Sequence, residues 1–326
     1  VQAHVSGERG ILQRLIAGPV SGDTLAQEAG LTRAAMWKRI EALREAGVEI
    51  DAQAGRGYTL RHPLELLQAE AIVGALPPFV RAGVASLEIA WSLDSTNSEL
   101  LRRDIPAHGV AALIAERQTG GRGRRGKTWA SPLAAHLYLS LSRQFSGGLA
   151  RLGGLSLVAG VAAAEALHES GYTGVRLKWP NDLVVEGRKL GGLLVEGGGE
   201  HAGPVRAVIG LGLNVRMPEA MAATLDQPWT DLSHLLETAP SRNAVAAGLL
   251  THLVPALDQF DAEGLAPFLA RYARFDALTG REVAVHLSGA TQAGIATGIA
   301  EDGALRVRID GEERVFHAGE VSVRAQ

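Results

Sequence analysis

Gly120-Gly121-Arg122-Gly123-Arg124-Arg125-Gly126-Lys127-Thr128-Trp129 sets four cations among four glycines, and the reading of this stretch decides the fold. Residues 121–128 satisfy G-x-x-x-x-G-K-T and residues 121–126 satisfy G-x-G-x-x-G, the signatures of P-loop and dinucleotide-binding folds. Both folds need a helix to open directly after the glycines, so that its first amides face the phosphates. Here Trp129-Ala130-Ser131-Pro132 follows, and then Leu137-Tyr138-Leu139-Ser140-Leu141-Ser142, whose strict alternation predicts a strand. A P-loop also relies on backbone amides and a single lysine, not on crowded arginines. Both matches are therefore rejected. The arginines are read instead as clamps on separate phosphate and carboxylate oxygens, each charge-assisted bond contributing about 1.5–3 kcal/mol. Like charges on a glycine-rich segment repel, so the loop is expected to be mobile when empty and to fold over its ligand. The plainer reading is a solvated basic surface loop.

Outward from the loop, strand signals at 87–92, 110–116, 175–178, 183–186, 193–196 and 205–209 surround an apolar helix at 152–170. Most are joined by short turns, which predicts an α+β fold with a largely antiparallel sheet backed by helices, not a doubly wound one. A further helical stretch is expected over 244–275. The tail from 278 to 324 carries short alternating strands punctuated by Gly289, Gly294, Gly298, Gly303 and Gly311, which predicts a small β-barrel.

The first sixty or so residues read as a separate unit. Residues 21–30 make a short helix stopped by Gly30, Thr32 caps the next, and residues 33–44 run as a second helix with Ala35, Met36, Ile40 and Leu43 on its apolar stripe. Residues 48–60 alternate across Gly55-Arg56-Gly57 as a hairpin. Helix, turn, basic helix and basic hairpin make a winged helix-turn-helix, with Thr32, Arg33, Lys38, Arg39 and Arg56 as candidate DNA contacts. Residues 63–79, with Pro77-Pro78, are read as the bridge between units. The expected domains are 1–65, 66–276 and 277–326.

Composition bounds the rest. At 326 residues and 46% hydrophobic, the chain can build a large core in two or three domains, and a net charge of −3 argues against a protein that coats nucleic acid. The absence of cysteine excludes disulfides, thiolate chemistry and cysteine-based zinc sites, in keeping with a reducing cytosol. No signal peptide is read at the start, and a chain that opens on Val1 hints that numbering begins inside the translated product. The most apolar run, 152–167, is too short to span a bilayer and carries Glu165, so a cytoplasmic protein without a membrane partner is expected.

Besides the loop, certain segments look out of place in a purely structural sheet. Lys178-Trp179-Pro180-Asn181-Asp182 groups a lysine, an amide and a carboxylate around a turn, although a plain β-turn would choose the same residues. Lys189-Leu190-Gly191-Gly192 opens a strand with glycines, which mark close approach of a ligand or backbone, and alternation puts Lys189 and Gly191 on one face. Gly210-Leu211-Gly212-Leu213-Asn214 repeats that logic. Asp94-Ser95-Thr96-Asn97 places hydroxyls and an amide where they could cap a helix or serve a neutral polar ligand.

In their order along the chain, these segments together resemble the biotin protein ligases, and more closely the bifunctional bacterial members that also repress biotin synthesis. The resemblance implies a catalytic sheet like that of class II synthetases and an SH3-like C-terminal barrel. It implies ATP with Mg²⁺, biotin as substrate, a biotin carboxyl carrier domain of acetyl-CoA carboxylase as acceptor, operator DNA as a partner, and a homodimer favoured by the adenylate. Carried over, Ser95, Thr96, Asn97 and Gln118 look like the ureido-recognition set, aided by the backbone of Gly121, Arg122, Gly123 and Arg124 and by Gly191. Lys189 resembles the lysine that meets the biotin carboxylate, and Arg124 the arginine that retains the intermediate. Arg125, Gly126, Lys127, Trp129, Lys178 and Asn181 fall where the family handles the nucleotide, Asn214 and Trp229 near the adenine, and Asp182 where Mg²⁺ could be held or ATP oriented. Lys127 stands where the family often has arginine, which keeps the charge but loses bidentate geometry. A metabolite-sensing regulator and a lipoate ligase are the competing readings.

Overall fold

The computed structural model describes all residues except 1–6, 54, 147, 149–151, 200–203, 239, 288–289, 319–321 and 326. Gly289, expected to punctuate the tail, lies outside the described residues.

Helices α1 (Glu8–Ile16), α2 (Gly22–Ala29) and α3 (Arg33–Glu45) precede a hairpin of β1 (Ile50–Gln53) and β2 (Gly57–Leu60). The punctuation acts as its residue types dictate. Ser21 accepts from the Thr24 amide at 3.0 Å to start α2, Gly30 ends it at φ 66°, and Thr32 accepts from the Ala35 amide at 3.2 Å to start α3. Ile11, Leu12, Leu25, Met36, Ile40 and Leu43 close a core of their own, which also takes in Leu133 and Ala134 from the middle of the chain. Helix α1 escaped the sequence reading: Gly7 caps it without a side-chain bond, and its signal was Ile11, Leu12 and Leu15 at helical spacing, with Glu8 in the first turn and Arg14 in the last.

Residues 63–79 are more than a bridge. They contain α4 (Ala69–Ala75) and the start of α5 (Pro78–Ala82), and Leu67, Ile72, Leu76 and Val80 are buried in the central core, whereas Leu66 belongs to the N-terminal one.

The central sheet is built from β3 (Val84–Ala90), β4 (Val110–Ala115), β5 (Leu137–Phe145), β6 (Arg176–Lys178), β7 (Asp182–Val185), β8 (Arg188–Gly199) and β9 (Val205–Leu213). Its order is β3-β4-β5-β9-β8-β7-β6, parallel only between β3 and β4. The strand after the arginine loop is thus paired antiparallel on both sides, which no P-loop or dinucleotide fold would place there. One sheet face packs on the buried α7 (Leu155–Glu169) and on α9 (Arg242–Glu263). The other carries α6 (Thr96–Arg102) over Leu113 and Val208. The short α8 (Glu219–Ala222) follows β9. The helical stretch expected as one at 244–275 is two, because Gly264 at φ 76° separates α9 from α10 (Ala266–Phe275).

The tail forms a five-stranded antiparallel sheet of β10 (Glu282–Leu287), β11 (Ala290–Ile299), β12 (Leu305–Ile309), β13 (Glu312–Phe316) and β14 (Ser322–Ala325), in the order β13-β12-β11-β10-β14. Val283, Val285, Leu305 and Val307 join the central core, so this sheet is fused to the middle of the molecule by apolar contact. Among the described residues no helix is long and apolar enough to cross a membrane.

Candidate active site

The register of the central sheet lays out the floor of a cleft of about 1440 Å³. One row across the strands runs Leu113, Ser140, Gly210, Leu194, and the next runs Ala115, Tyr138, Gly212, Gly192, Asp182, Lys178. Glycine at the centre of both rows sinks the floor. A Cβ on Gly210 would stand 2.4 Å from Asn97 Oδ1, and one on Gly212 would stand 2.5 Å from the Trp129 ring. These side chains occupy the space that the glycines leave.

At one end, Ser95 accepts from the Ser98 amide to start α6, and Ser95, Thr96 and Asn97 are buried. Gln118 Oε1 accepts from the Thr96 amide at 2.8 Å and from its hydroxyl at 3.1 Å. Ser140 lies 2.7 Å from Thr96 Oγ1 and donates to Asn97 Oδ1 at 2.6 Å. Asn97 Nδ2 donates to the Leu194 carbonyl at 3.1 Å and to Glu196 at 2.8 Å. The result is a dense set of oriented donors and acceptors with no net demand for a charged ligand. Ser140 and Glu196 belong to it and escaped the sequence reading. The signal for Ser140 was a hydroxyl on an otherwise leucine-rich buried strand, since such a group must find a partner.

The arginine loop crosses above. Its base is closed by an Arg122–Thr128 bridge and by the Trp129 amide donating to the Gly121 carbonyl at 2.9 Å. The tip turns through Arg125 at φ 55° and Gly126 at φ 71°. Arg122 pairs with Glu196 at 3.1 Å. Half-buried Arg124 donates to Asn181 Oδ1 at 3.2 Å and to the carbonyl of Ala318, so it ties the loop to both the β6–β7 turn and the C-terminal sheet. Desolvation, reinforced by neighbouring Arg125 and opposed by Asp182, holds its guanidinium below the ordinary value.

Lys189 stands on the far side, its Nζ 2.7 Å from Asp182 Oδ1 and 5.4 Å from the centre of the Trp129 ring. The expected face-sharing of Lys189 and Gly191 is corrected by a bulge: Val184 pairs with Lys189 and Leu183 with Gly191, so Leu190 is left over. Gly192 takes the place beside Lys189, where its Cβ would be 3.3 Å from Lys189 Cε. Gly191 faces Leu183 and Leu213 in the core.

Of the residues picked from sequence, Ser95, Thr96, Asn97, Gln118, Arg122, Gly123, Arg124, Arg125, Lys127, Trp129, Lys178, Asn181, Asp182 and Lys189 line the cleft. Gly121, Gly126, Gly191, Asn214 and Trp229 do not. Gly121 lets the backbone of Trp129 approach, since a Cβ there would meet its carbonyl oxygen at 2.6 Å. Asn214 is buried and donates to the carbonyls of Lys189 at 3.4 Å and Thr230 at 3.1 Å. Trp229 bridges the backbone of Lys189 and stacks edge-on with His234. Both bind the backbone of Lys189. Arg176, Glu186 and Arg281 also line the cleft and were not foreseen.

A protein-held metal site does not fit these residues. Among the described residues no group of three or more His, Cys, Asp or Glu could hold an ion, and the Asp182 carboxylate is engaged by Lys189.

In the N-terminal module, Thr32 is spent on its cap, and Arg33 pairs with Asp23 at 2.7 Å. Lys38, Arg39 and Arg56 are exposed.

Residues 92–214 match the Biotin/lipoate A/B protein ligase family, residues 8–59 the HTH domain family, and residues 278–324 the Biotin protein ligase C terminal domain. The bifunctional ligase/repressor BirA of Escherichia coli (strain K12) is 40% identical over 305 residues, covering 94% of this chain and 93% of that protein. The biotin--[acetyl-CoA-carboxylase] ligase of Mycobacterium tuberculosis is 36% identical over 80% of this chain and 96% of its own length. A solved structure of biotin protein ligase from Aquifex aeolicus in complex with biotin and ATP superposes with a TM-score of 0.62 at 26% identity, covering 74% of this chain and 100% of that one. A glycine-floored cleft between an amide-hydroxyl pocket, an arginine loop and a paired lysine, together with identity carried along nearly the whole chain, means that this protein belongs to the biotin protein ligase family, in the form that bears an N-terminal helix-turn-helix module.

Proposed function

We propose that the chain is an ATP-dependent biotin protein ligase that also binds operator DNA. Biotin lies along the cleft with its ureido group among Ser95, Thr96, Asn97 and Gln118 and its carboxylate toward Lys189. In the first step a carboxylate oxygen attacks the α-phosphorus of ATP, a P–O bond forms, and pyrophosphate leaves with the electrons of the bond it breaks. Two anions must be brought together for this, so cations fixed beforehand between them supply the largest effect. The observation that carries the reading is the Lys189 ammonium in the cleft, which Asp182 holds and to which glycine at 192 leaves room. Arg124, Arg125 and Lys127 take up phosphate charge from the opposite wall. Mg²⁺ would enter with ATP and offset part of its phosphate charge.

In the second step the lysine amine of a carrier domain attacks the acyl carbon, AMP leaves, and the amine proton is lost to give an amide. Until then the mixed anhydride has to be kept from water, and the arginine loop closing over it does this. The acceptor is a biotin carboxyl carrier domain such as that of acetyl-CoA carboxylase. The winged module reads operator DNA near the biotin genes as an adenylate-favoured homodimer, in the cytoplasm, where ATP and carrier meet. Biotin-dependent exchange between ATP and labelled pyrophosphate, followed by transfer to a carrier domain, tests the enzyme. A protein that senses biotin without catalysing exchange, or that exchanges with lipoate in preference, overturns the reading.

A further inference from the structure

Trp37 is 56% exposed, whereas the other four tryptophans of the chain are buried or half-buried. It sits in the first half of α3, one residue after the core residue Met36 and one before the exposed Lys38. Met36, Ile40 and Leu43 already fill the core side of that helix, so among the described residues the core of the module does not include the indole. Ala34, Trp37, Lys38 and Glu41 recur at the spacing of a single helical face, and that face points away from the core. Glu41 is drawn off by Arg44 at 2.6 Å, which leaves Trp37 and Lys38 as its dominant features.

A bare tryptophan in water forfeits a large burial, so its occupant is apolar and lies in a charged setting. Exposed Lys38 beside it, with exposed Arg39 on the same helix and Arg56 on the hairpin tip, makes the surroundings cationic, whereas Arg33 is neutralised by Asp23. A protein partner's apolar patch would not call for that charge; duplex DNA does, because its phosphates surround the apolar C5-methyl groups of thymine in the major groove. The N-terminal half of the second helix is also the part of a helix-turn-helix that reaches base edges.

We propose that Trp37 is a base-reading residue of α3, its ring packed on a thymine methyl, while Lys38 holds phosphate. This rests on the DNA-binding reading above and adds to it the contact that gives sequence preference. Positioning by phosphate carries no sequence information, so a contact to a base edge has to be added to it.

The test starts from a duplex that the full-length protein, with biotin and ATP present, enriches from a random-sequence pool. The same duplex is then made with uracil in place of thymine, which deletes only the methyl groups. The wild type is expected to bind the uracil duplex roughly tenfold more weakly, and Trp37→Ala to bind both duplexes with that same reduced affinity. Trp37→Ala should leave the slope of log affinity against log salt unchanged, and Lys38→Ala should lower it by about one. Because the ring is exposed, biotin transfer by Trp37→Ala reports that the fold is intact. Enrichment of no duplex by the wild type overturns the DNA reading and this proposal with it. Equal thymine preference in wild type and Trp37→Ala overturns the proposal alone, as does weaker self-association of Trp37→Ala without DNA, which assigns the ring to a contact between copies.

Discussion

Asp182 Oδ1 lies 2.7 Å from Lys189 Nζ across the β7–β8 hairpin, and both side chains are about three-quarters buried or more. The bulge at Leu190 turns Lys189 to the cleft side, and the carboxylate fixes its ammonium before any anion arrives. Lys189→Ala is therefore expected to lower biotin-dependent ATP–pyrophosphate exchange by roughly 10²–10³-fold, and to lower the melting temperature as well because Asp182 is left without its partner. Exchange within a few-fold of wild type would remove Lys189 from the reaction.

Arg124 is held from two directions, by Asn181 and by the Ala318 carbonyl, and is partly desolvated by that position. Its charge is worth more there than at the surface. Arg124→Gly should still form adenylate but release it about 10–100-fold faster, so that bystander proteins become biotinylated. A tightly retained adenylate in this variant, measured by filter binding, contradicts the role.

The helix-turn-helix and the rejection of the P-loop were legible because they depend on local chemistry: Ser21, Gly30 and Thr32 cap as their side chains and φ values require, and the alternation after Pro132 fits only a strand. The amide-hydroxyl pocket was legible as residue types at a strand-to-helix junction. What was lost depends on register and on partners far away in sequence. The bulge at Leu190 swaps the places of Gly191 and Gly192, and no single strand records its own bulge. Asn214 directly follows β9, whose glycines floor the cleft, yet turns to the carbonyls of Lys189 and Thr230, which only the folded sheet brings near it. Trp37 was passed over because an aromatic in a helix ordinarily signals core.

His136 is fully buried, and its Nδ1 accepts from the Val215 amide at 3.1 Å. Burial is the main cause that lowers its pKa from 6.5 to about 4, with Asp231 opposing and Arg242 assisting. The unfolded chain takes a proton on this ring below its ordinary value and the folded one does not, so stability is lost as pH falls from 6.5 toward 4 and is intact above that window. About 2 kcal/mol should go by about pH 5. Urea unfolding at about pH 7.5 and pH 5 checks this against His136→Asn, which keeps an acceptor but cannot titrate; an equal loss in both proteins would assign the slope to other groups.

Gly210 offers the sharpest separation of site from scaffold. Its Cβ would stand 2.4 Å from Asn97 Oδ1, and Asn97 cannot give way freely because Ser140, Leu194 and Glu196 hold it at 2.6, 3.1 and 2.8 Å. Gly210→Ala must then break part of that network, at about 1–3 kcal/mol of stability. The larger effect falls on the ligand, since a displaced Asn97 presents its donor and acceptor in the wrong places; biotin affinity by calorimetry should fall at least roughly 30-fold. Gly198→Ala on β8 is the matched control, for a Cβ there meets nothing within 4 Å. If Gly210→Ala binds biotin as tightly as Gly198→Ala, the ligand's polar ring does not lie against Asn97, and the pocket at the start of α6 belongs to the scaffold.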